Sequence, residues 1–401
     1  MFIGVIGTII GFIITVALIR KDINYGAAMI IGALFIAITN RFTPTQFIQT
    51  TKTSLTSSDT LTLVVLVIFI YTIAYGMKET NQVDRILNSF RRLISSRGTV
   101  AAIPTIFGFL PMPGGALMSA PIMEPEAEKL GGNAEQKTLV NFWFRHFIFF
   151  IFPFSPDLVL AAKQGGINLY DLIAIQIPVT VIALILGYFF YVKPLNVGKK
   201  PDKKTLLKDT SKIIWNLTPV LVPIIINAFF NVKLMYVIPL GLIILLLQNH
   251  NRLTKTKTAE IIKEGFPPKL VFAVIGIMFF RYIVKSSGSL TELINSSRAI
   301  GVPLLLIAII LPFMIGVITG IGMATIGISF PLLLPLIPND PIHISMLFIS
   351  SYLGYLISPV HLCLVVTIEY FGSNLKKNLK ELAKPVSIIM AYNIIIMLLF
   401  F

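Results

Sequence analysis

The sequence has little charge. Asp, Glu, Lys and Arg make up 13% of its 401 residues, against 55% hydrophobic residues. An ordinary soluble domain carries about 25% charged residues, so that class is excluded. Cysteine is nearly missing. The single Cys363 rules out an intramolecular disulfide framework and a zinc cluster, and reads as a packing residue. There is no His-Glu-x-x-His, no Gly-x-Ser-x-Gly and no nucleotide-binding motif. Aspartyl chemistry needs paired carboxylates, and Asp157 has no second aspartate in an apolar span. No enzyme activity, no ATP-driven step and no resident cofactor are therefore expected. The first apolar run, 2–19, has no basic residue before it and is followed by Arg20-Lys21, so a cleaved leader is not expected. Acidic residues are scarce too, at 18 against 33 basic ones, for a net charge of +15. In a soluble chain that excess could signal nucleic acid. Here the distribution of charge over the loops accounts for it, and no nucleic-acid partner is expected.

What is present is apolar sequence, with a mean hydropathy of +0.85. The composition is that of an all-α polytopic membrane protein. Apolar spans fall at 2–19, 23–39 and 60–77. Residues 79–97 place Val83, Ile86, Leu87, Phe90, Leu93 and Ile94 on one helical face, interrupted by Arg85, Arg91, Arg92 and Arg97, which reads as an interfacial amphipathic helix. The next stretch, Leu110-Pro111-Met112-Pro113-Gly114-Gly115-Ala116-Leu117-Met118-Ser119-Ala120-Pro121, cannot stay helical, because prolines lack the amide donor and the glycine pair favours other conformations. The apolar runs beside it are each shorter than the roughly 20 residues needed to cross a bilayer. Either one span is kinked by proline, or 98–130 is a re-entrant hairpin whose tip lines a site. A long segment at 136–164, interrupted at Pro153-Phe154-Ser155-Pro156-Asp157, and a span at 172–192 close a first half, 1–192.

Residues 193–212 form a basic linker with seven lysines, and the pattern then starts again over 213–401. Spans fall near 213–230, 234–248 and 270–284, with an amphipathic stretch at 286–300. A hairpin over 301–338 breaks at Gly316–Gly322, a segment over 342–370 breaks at Ser358-Pro359, and a last span covers 386–401. Asn88-Ser89 aligns with Asn295-Ser296 at an offset of 207, and Ser155-Pro156 with Ser358-Pro359 at an offset of 203. Such internal repeats are a signature of secondary transporters. Each half holds five crossings plus a hairpin, and an odd number of crossings inserts the second half upside down. The re-entrant topology puts 25 of the 33 lysines and arginines on one side of the membrane. The positive-inside rule makes that side cytoplasmic, with both termini outside. Reading the first hairpin as a full span would scatter the same charges.

The breaks hold the polar residues that could carry chemistry. Ser155 and Ser358 bring hydroxyls to points where half-helix ends face the midplane, although they could instead cap their own kinked backbone. Asp157 is an intramembrane carboxylate, costing about 2.5 kcal/mol or more to insert. It could bind a coupling Na+ or H+, or cap the outer half-helix. His361 could titrate beside it or be a hydrogen-bonded core residue. At the tips, Gly114, Gly115, Gly320 and Gly322 let backbone amides approach a ligand, flanked by Pro113, Ser119, Thr319 and Thr325; the glycines could equally serve helix packing. Arg145, beside Trp143, reads as a side chain snorkelling to the cytoplasmic interface, with an anion contact as the alternative. Glu124, Glu126 and Glu128 read as the solvated end of the first hairpin.

These features together resemble the ion transporter superfamily of secondary carriers for citrate, dicarboxylates, gluconate and related acids. The Leu110-to-Pro121 motif and the Phe154-Ser155-Pro156-Asp157 break look closest to an uncharacterised prokaryotic integral-membrane family within it. The resemblance implies a scaffold and a mobile transport domain in a prokaryotic cell membrane, moving as an elevator within a homodimer. The arms joining scaffold to transport domain would be 79–97 and 286–300. Sodium-coupled dicarboxylate members carry Ser-Asn-Thr at their hairpin tips, where this chain has Pro113-Gly114-Gly115 and Thr319-Gly320-Ile321-Gly322. The expected function is cation-coupled transport of a small organic anion, a carboxylate. A sodium/proton antiporter using Asp157 and a passive channel are the alternatives.

Overall fold

The computed structural model describes residues 2–21, 23–109, 115–198, 206–230, 232–288 and 304–400. Among them every regular element is a helix, and five stretches are long and apolar enough to cross a membrane: Ser58–Glu79, Leu169–Val192, Leu206–Phe230, Lys255–Ser286 and Leu375–Phe400. Several shorter apolar helices accompany them. This architecture is consistent with a membrane protein.

The chain opens with α1 (Phe2–Arg20) and α2 (Tyr25–Thr39). The Asn24 side chain starts α2 by accepting from the Gly26 amide at 2.9 Å. A polar helix, α3 (Pro44–Thr56), follows, which the hydropathy pattern did not reveal. It is set by local chemistry: Gln46 N donates to Thr43 Oγ1 at 3.2 Å and Thr43 N donates to Gln46 Oε1 at 3.0 Å, a reciprocal cap. After α4 (Ser58–Glu79) comes α5 (Gln82–Leu93), the expected amphipathic helix. Its buried face carries Val83, Ile86 and Leu87. Its polar face reaches α11 (Leu206–Phe230) through Arg92, which meets both Asp209 oxygens at 2.8 and 2.5 Å. That pairing raises the Arg92 pKa above its ordinary value.

The first hairpin comprises α6 (Ser96–Gly108) and α7 (Gly115–Glu128). Pro113 and Gly114, expected at its tip, lie outside the described residues, as does most of the amphipathic stretch expected at 286–300. The broken helix after it begins its interruption earlier than the Pro153–Asp157 break read from sequence. α8 (Ala134–His146) ends before a 3-10 turn at Phe147–Phe150, and α9 starts only at Pro156 (Pro156–Gly165). Pro153 and Pro156 both withhold amide donors from the ladder, so the preceding turn tightens and the helix stops short. α10 (Leu169–Gly187) closes this half.

After α11 come α12 (Leu234–Gln248), α13 (Lys255–Glu264) and α14 (Pro268–Ser286). Then come α15 (Leu304–Thr319) and α16 (Gly322–Leu333), then α17 (Pro341–Leu356), α18 (Leu362–Phe371) and α19 (Leu375–Phe400). Only Gly320 and Ile321 separate α15 from α16, so this hairpin tip is tighter than the Gly316–Gly322 break expected. Gly316 itself is helical, and its missing side chain lets α15 lie against α17, where a Cβ would sit 2.5 Å from the Tyr355 nitrogen. Gly320 has φ +62°, a conformation that costs a residue with a Cβ roughly 1–2 kcal/mol.

α1 packs on α2, α2 on α14, α11 on α12, and α12 on α4. α6 packs on α8 and α15 on α17, the hairpin arms cross over, with α7 on α18 and α16 on α9, and α16 also packs on α14.

Candidate functional site

A cavity of about 920 Å³ lies among these helices. Tyr25, Tyr71 and Lys78 from α2 and α4, with Lys269 from α14, form one wall; Arg145, His146, Ser155, Asp157, Gly320, Gly322 and His361 form the other.

Half-helix ends converge here. α9, α16 and α18 each begin at residues lining the cavity: Pro156, Gly322 and Leu362. α7, which begins at Gly115, contributes Met118 from its first turn. Ser155 caps α9, accepting weakly from the Leu158 amide at 3.5 Å. The cap residues of α16 and α18, Ile321 and His361, make no side-chain cap bond. Leu364 N donates to the His361 carbonyl at 2.9 Å, and the amides of Gly322, Met323, Leu362 and Cys363 at the starts of these helices are left for another acceptor, where the positive ends of the helix dipoles favour an anion.

Two charged side chains sit against the hairpin glycines. Arg145 is buried, not at an interface; the snorkelling expected for it is corrected by its position. Its Nη1 donates to the Phe107 carbonyl at 2.6 Å, and a Cβ at Gly115 would lie 2.6 Å from its Cζ. Its neighbour Trp143 is buried too, donating to the Ala183 carbonyl at 2.9 Å. Burial of this side chain among aromatic residues places a permanent positive charge beside the cavity. Asp157, the second residue of α9, is half-buried and lines the cavity. Among the described residues its carboxylate makes no hydrogen bond or ion pair, and it is not the cap of its helix, a part that Ser155 takes. A Cβ at Gly322 would lie 2.7 Å from its Cγ. The carboxylate therefore rests on Gly322 at the start of α16 as the guanidinium rests on Gly115 at the start of α7.

His361 Nδ1 lies 3.0 Å from the Tyr355 carbonyl, and its ring stacks on Tyr355 with centroids 4.0 Å apart. His146 Nδ1 lies 2.6 Å from the Phe142 carbonyl, and the two imidazole rings meet edge-on at 4.8 Å. Cys363 is half-buried and lines the cavity beside them.

Of the residues singled out from sequence, Ser155, Asp157, Gly320, Gly322 and His361 share this cavity, with Gly115 behind Arg145. Ser119, Thr319, Thr325 and Ser358 do not line it. Ser119 donates to Asn141 Oδ1 at 2.7 Å, and Asn141 in turn donates to the Ala116 carbonyl at 3.0 Å. Thr319 and Thr325 bond to each other at 2.9 Å, and Ser358 donates to the Val317 carbonyl at 2.7 Å, fastening the second break to the second hairpin. Arg145, His146 and Cys363 also line the cavity, where the sequence favours an interfacial arginine over an anion contact and a packing cysteine. The signal for Arg145 was there: an arginine enclosed by Phe142, Trp143, Phe144 and Phe147 has no short route to water. At the far end of the first hairpin, Lys137 clamps Glu124 at 2.7 Å and Glu128 at 3.0 Å.

A family model described as "Protein of unknown function (DUF401)" matches residues 5–400, and the chain belongs to that family. A search of curated proteins finds no match.

Proposed function

We propose that this DUF401 member is a cation-coupled secondary transporter of a small organic anion, a carboxylate. One observation carries the reading: a single cavity gathers half-helix N-termini, a buried arginine and an unpaired carboxylate. An anion is held by the free amides of α16 and α18 and by Arg145. Asp157 takes the coupling cation or proton, with His361 as the second titratable group nearby. The permanent charge on Arg145 attracts the substrate whatever the state of Asp157, so coupling acts through the carboxylate.

The packing supports two inverted repeats and an elevator. Contacts come in matched pairs: α1 on α2 answers α11 on α12, and α7 on α18 answers α16 on α9. The set bearing the hairpins and breaks is the moving body, and the set with α2, α4, α12 and α14 is the scaffold, in a homodimer. The cavity between them faces the cytoplasm, with both termini outside, in a prokaryotic cell membrane.

A thermal-shift screen of purified protein against carboxylates, with and without sodium and across pH, tests substrate and coupling ion together, since binding to the native state raises apparent stability. Asp157→Asn is expected to abolish gradient-driven uptake at unchanged expression and melting temperature. Normal uptake by that variant removes Asp157 from the mechanism.

A further inference from the structure

We propose that His146, His361 and Cys363 form a binding site for one zinc-class transition-metal ion, with a fourth coordination position open to the cavity. A ring nitrogen of each histidine and the cysteine sulfur all lie within 4.8 Å of one another. The residues come from both halves of the chain: His146 ends α8, His361 precedes α18, and Cys363 lies in the first turn of α18.

The histidines are arranged as metal ligands are. Each Nδ1 sits at hydrogen-bonding distance from a backbone carbonyl, Phe142 for His146 and Tyr355 for His361. Only a protonated Nδ1 can satisfy a carbonyl, which fixes the tautomer and leaves Nε2 with a free lone pair. A carbonyl partner on the far nitrogen is the usual second-sphere arrangement for ligating imidazoles. His361 Nε2 is buried and has no hydrogen-bond partner. A buried acceptor left so is destabilising, and a metal ion would offset that cost. The Tyr355 ring stacked on His361, and Phe142 packed on both imidazoles at 4.5 and 4.8 Å, hold the rings in place.

Two imidazoles and one thiolate are a donor set for zinc, cobalt or copper and a poor one for magnesium or calcium. Bond lengths of about 2.0–2.1 Å to nitrogen and 2.3 Å to sulfur require the donors to close in by up to about 1.5 Å. Cys363 can supply that by turning its side chain, since it borders the open cavity. Binding releases the thiol proton to solvent, and the thiolate and Asp157 offset the positive charge brought in beside Arg145. With His361 as ligand, proton or sodium coupling falls to Asp157 alone.

Cobalt titration of the full-length, chelator-treated protein in detergent tests the site without any transport assay. Tetrahedral d–d bands and a thiolate-to-cobalt charge-transfer band are expected, saturating at one ion per chain and disappearing on addition of zinc. Cys363→Ser should abolish the charge-transfer band. His146→Gln and His361→Gln should each weaken cobalt binding by at least the roughly 10–100-fold that loss of an outer-sphere partner costs. Melting curves recorded without metal check that the variants are folded. Absence of these bands in the native protein, or an unchanged spectrum in folded Cys363→Ser, overturns the proposal.

Discussion

Replacing Gly322 with alanine separates the stability of the second hairpin tip from its chemistry. The added methyl would run into Asp157 Oδ2 first and stand 2.7 Å from Cγ and 3.0 Å from Oδ1. Carbon atoms settle at about 3.5 Å or more from a neighbour, and Oδ2 lies nearer than Cγ, so the carboxylate must retreat by about 1 Å or more. It has room to do so, because it borders the cavity. The retreat costs about 0.5–1.5 kcal/mol if it forces an off-rotamer side chain. Alanine in place of helical glycine returns up to about 1 kcal/mol. The two nearly cancel, and the melting temperature should stay within a few degrees of the native value. Function should not survive as well. Disturbing a group that orients an ion ligand costs roughly 10–100-fold in ion affinity. Uptake into proteoliposomes should therefore need a correspondingly higher concentration of the coupling ion, with the substrate requirement less affected. Native ion dependence would refute the placement of Asp157 against Gly322. A large fall in melting temperature would refute the energy balance.

Gly320→Ala should behave in the opposite way. The residue has φ +62° and its Cβ would meet the Val360 carbonyl carbon and oxygen at 2.9 Å, backbone atoms that cannot step aside; a loss of about 2–4 kcal/mol is expected, read as a lowered melting temperature. Arg145→Lys keeps the charge but not the forked donor, and should raise the KM for the anion by about tenfold or more, matching the 1.5–3 kcal/mol of a charged hydrogen bond. Arg92→Ala removes the guanidinium from an Asp209 carboxylate that is only 1% exposed, so a loss of about 3 kcal/mol is expected, with uptake retained and the melting temperature clearly lowered.

Those features of the fold that depend on local pattern were legible. The stripe Val83-Ile86-Leu87 announced α5, and Ser155-Pro156 and Ser358-Pro359 announced the second members of both broken helices. The capped polar helix α3 was missed because hydropathy cannot see it, although Thr43-Pro44-Thr45-Gln46 carries the cap in plain sight. The hairpin glycines were legible as glycines, but not what occupies the space they leave. Gly322 meets Asp157 from another helix, and Gly115 meets Arg145, so the reason for each lies in tertiary packing. Cys363 and His146 stand over 200 residues apart, and no sequence window joins them. Serines and threonines were overvalued for a related reason. Their hydroxyls satisfy carbonyls of their own and neighbouring helices before any ligand arrives, as Thr319 does with Ile315 at 2.8 Å.

The crossing-over of the hairpin arms bears on how the chain is made. α7 rests on α18, which the ribosome delivers more than 230 residues later, and α9 waits in the same way for α16. A nascent chain that has completed only its first half has inserted helices without the surfaces they pack on. Late, long-range closure of this kind is slow. During synthesis the first hairpin must be sheltered by lipid, translocon or chaperone until the second half emerges to clasp it.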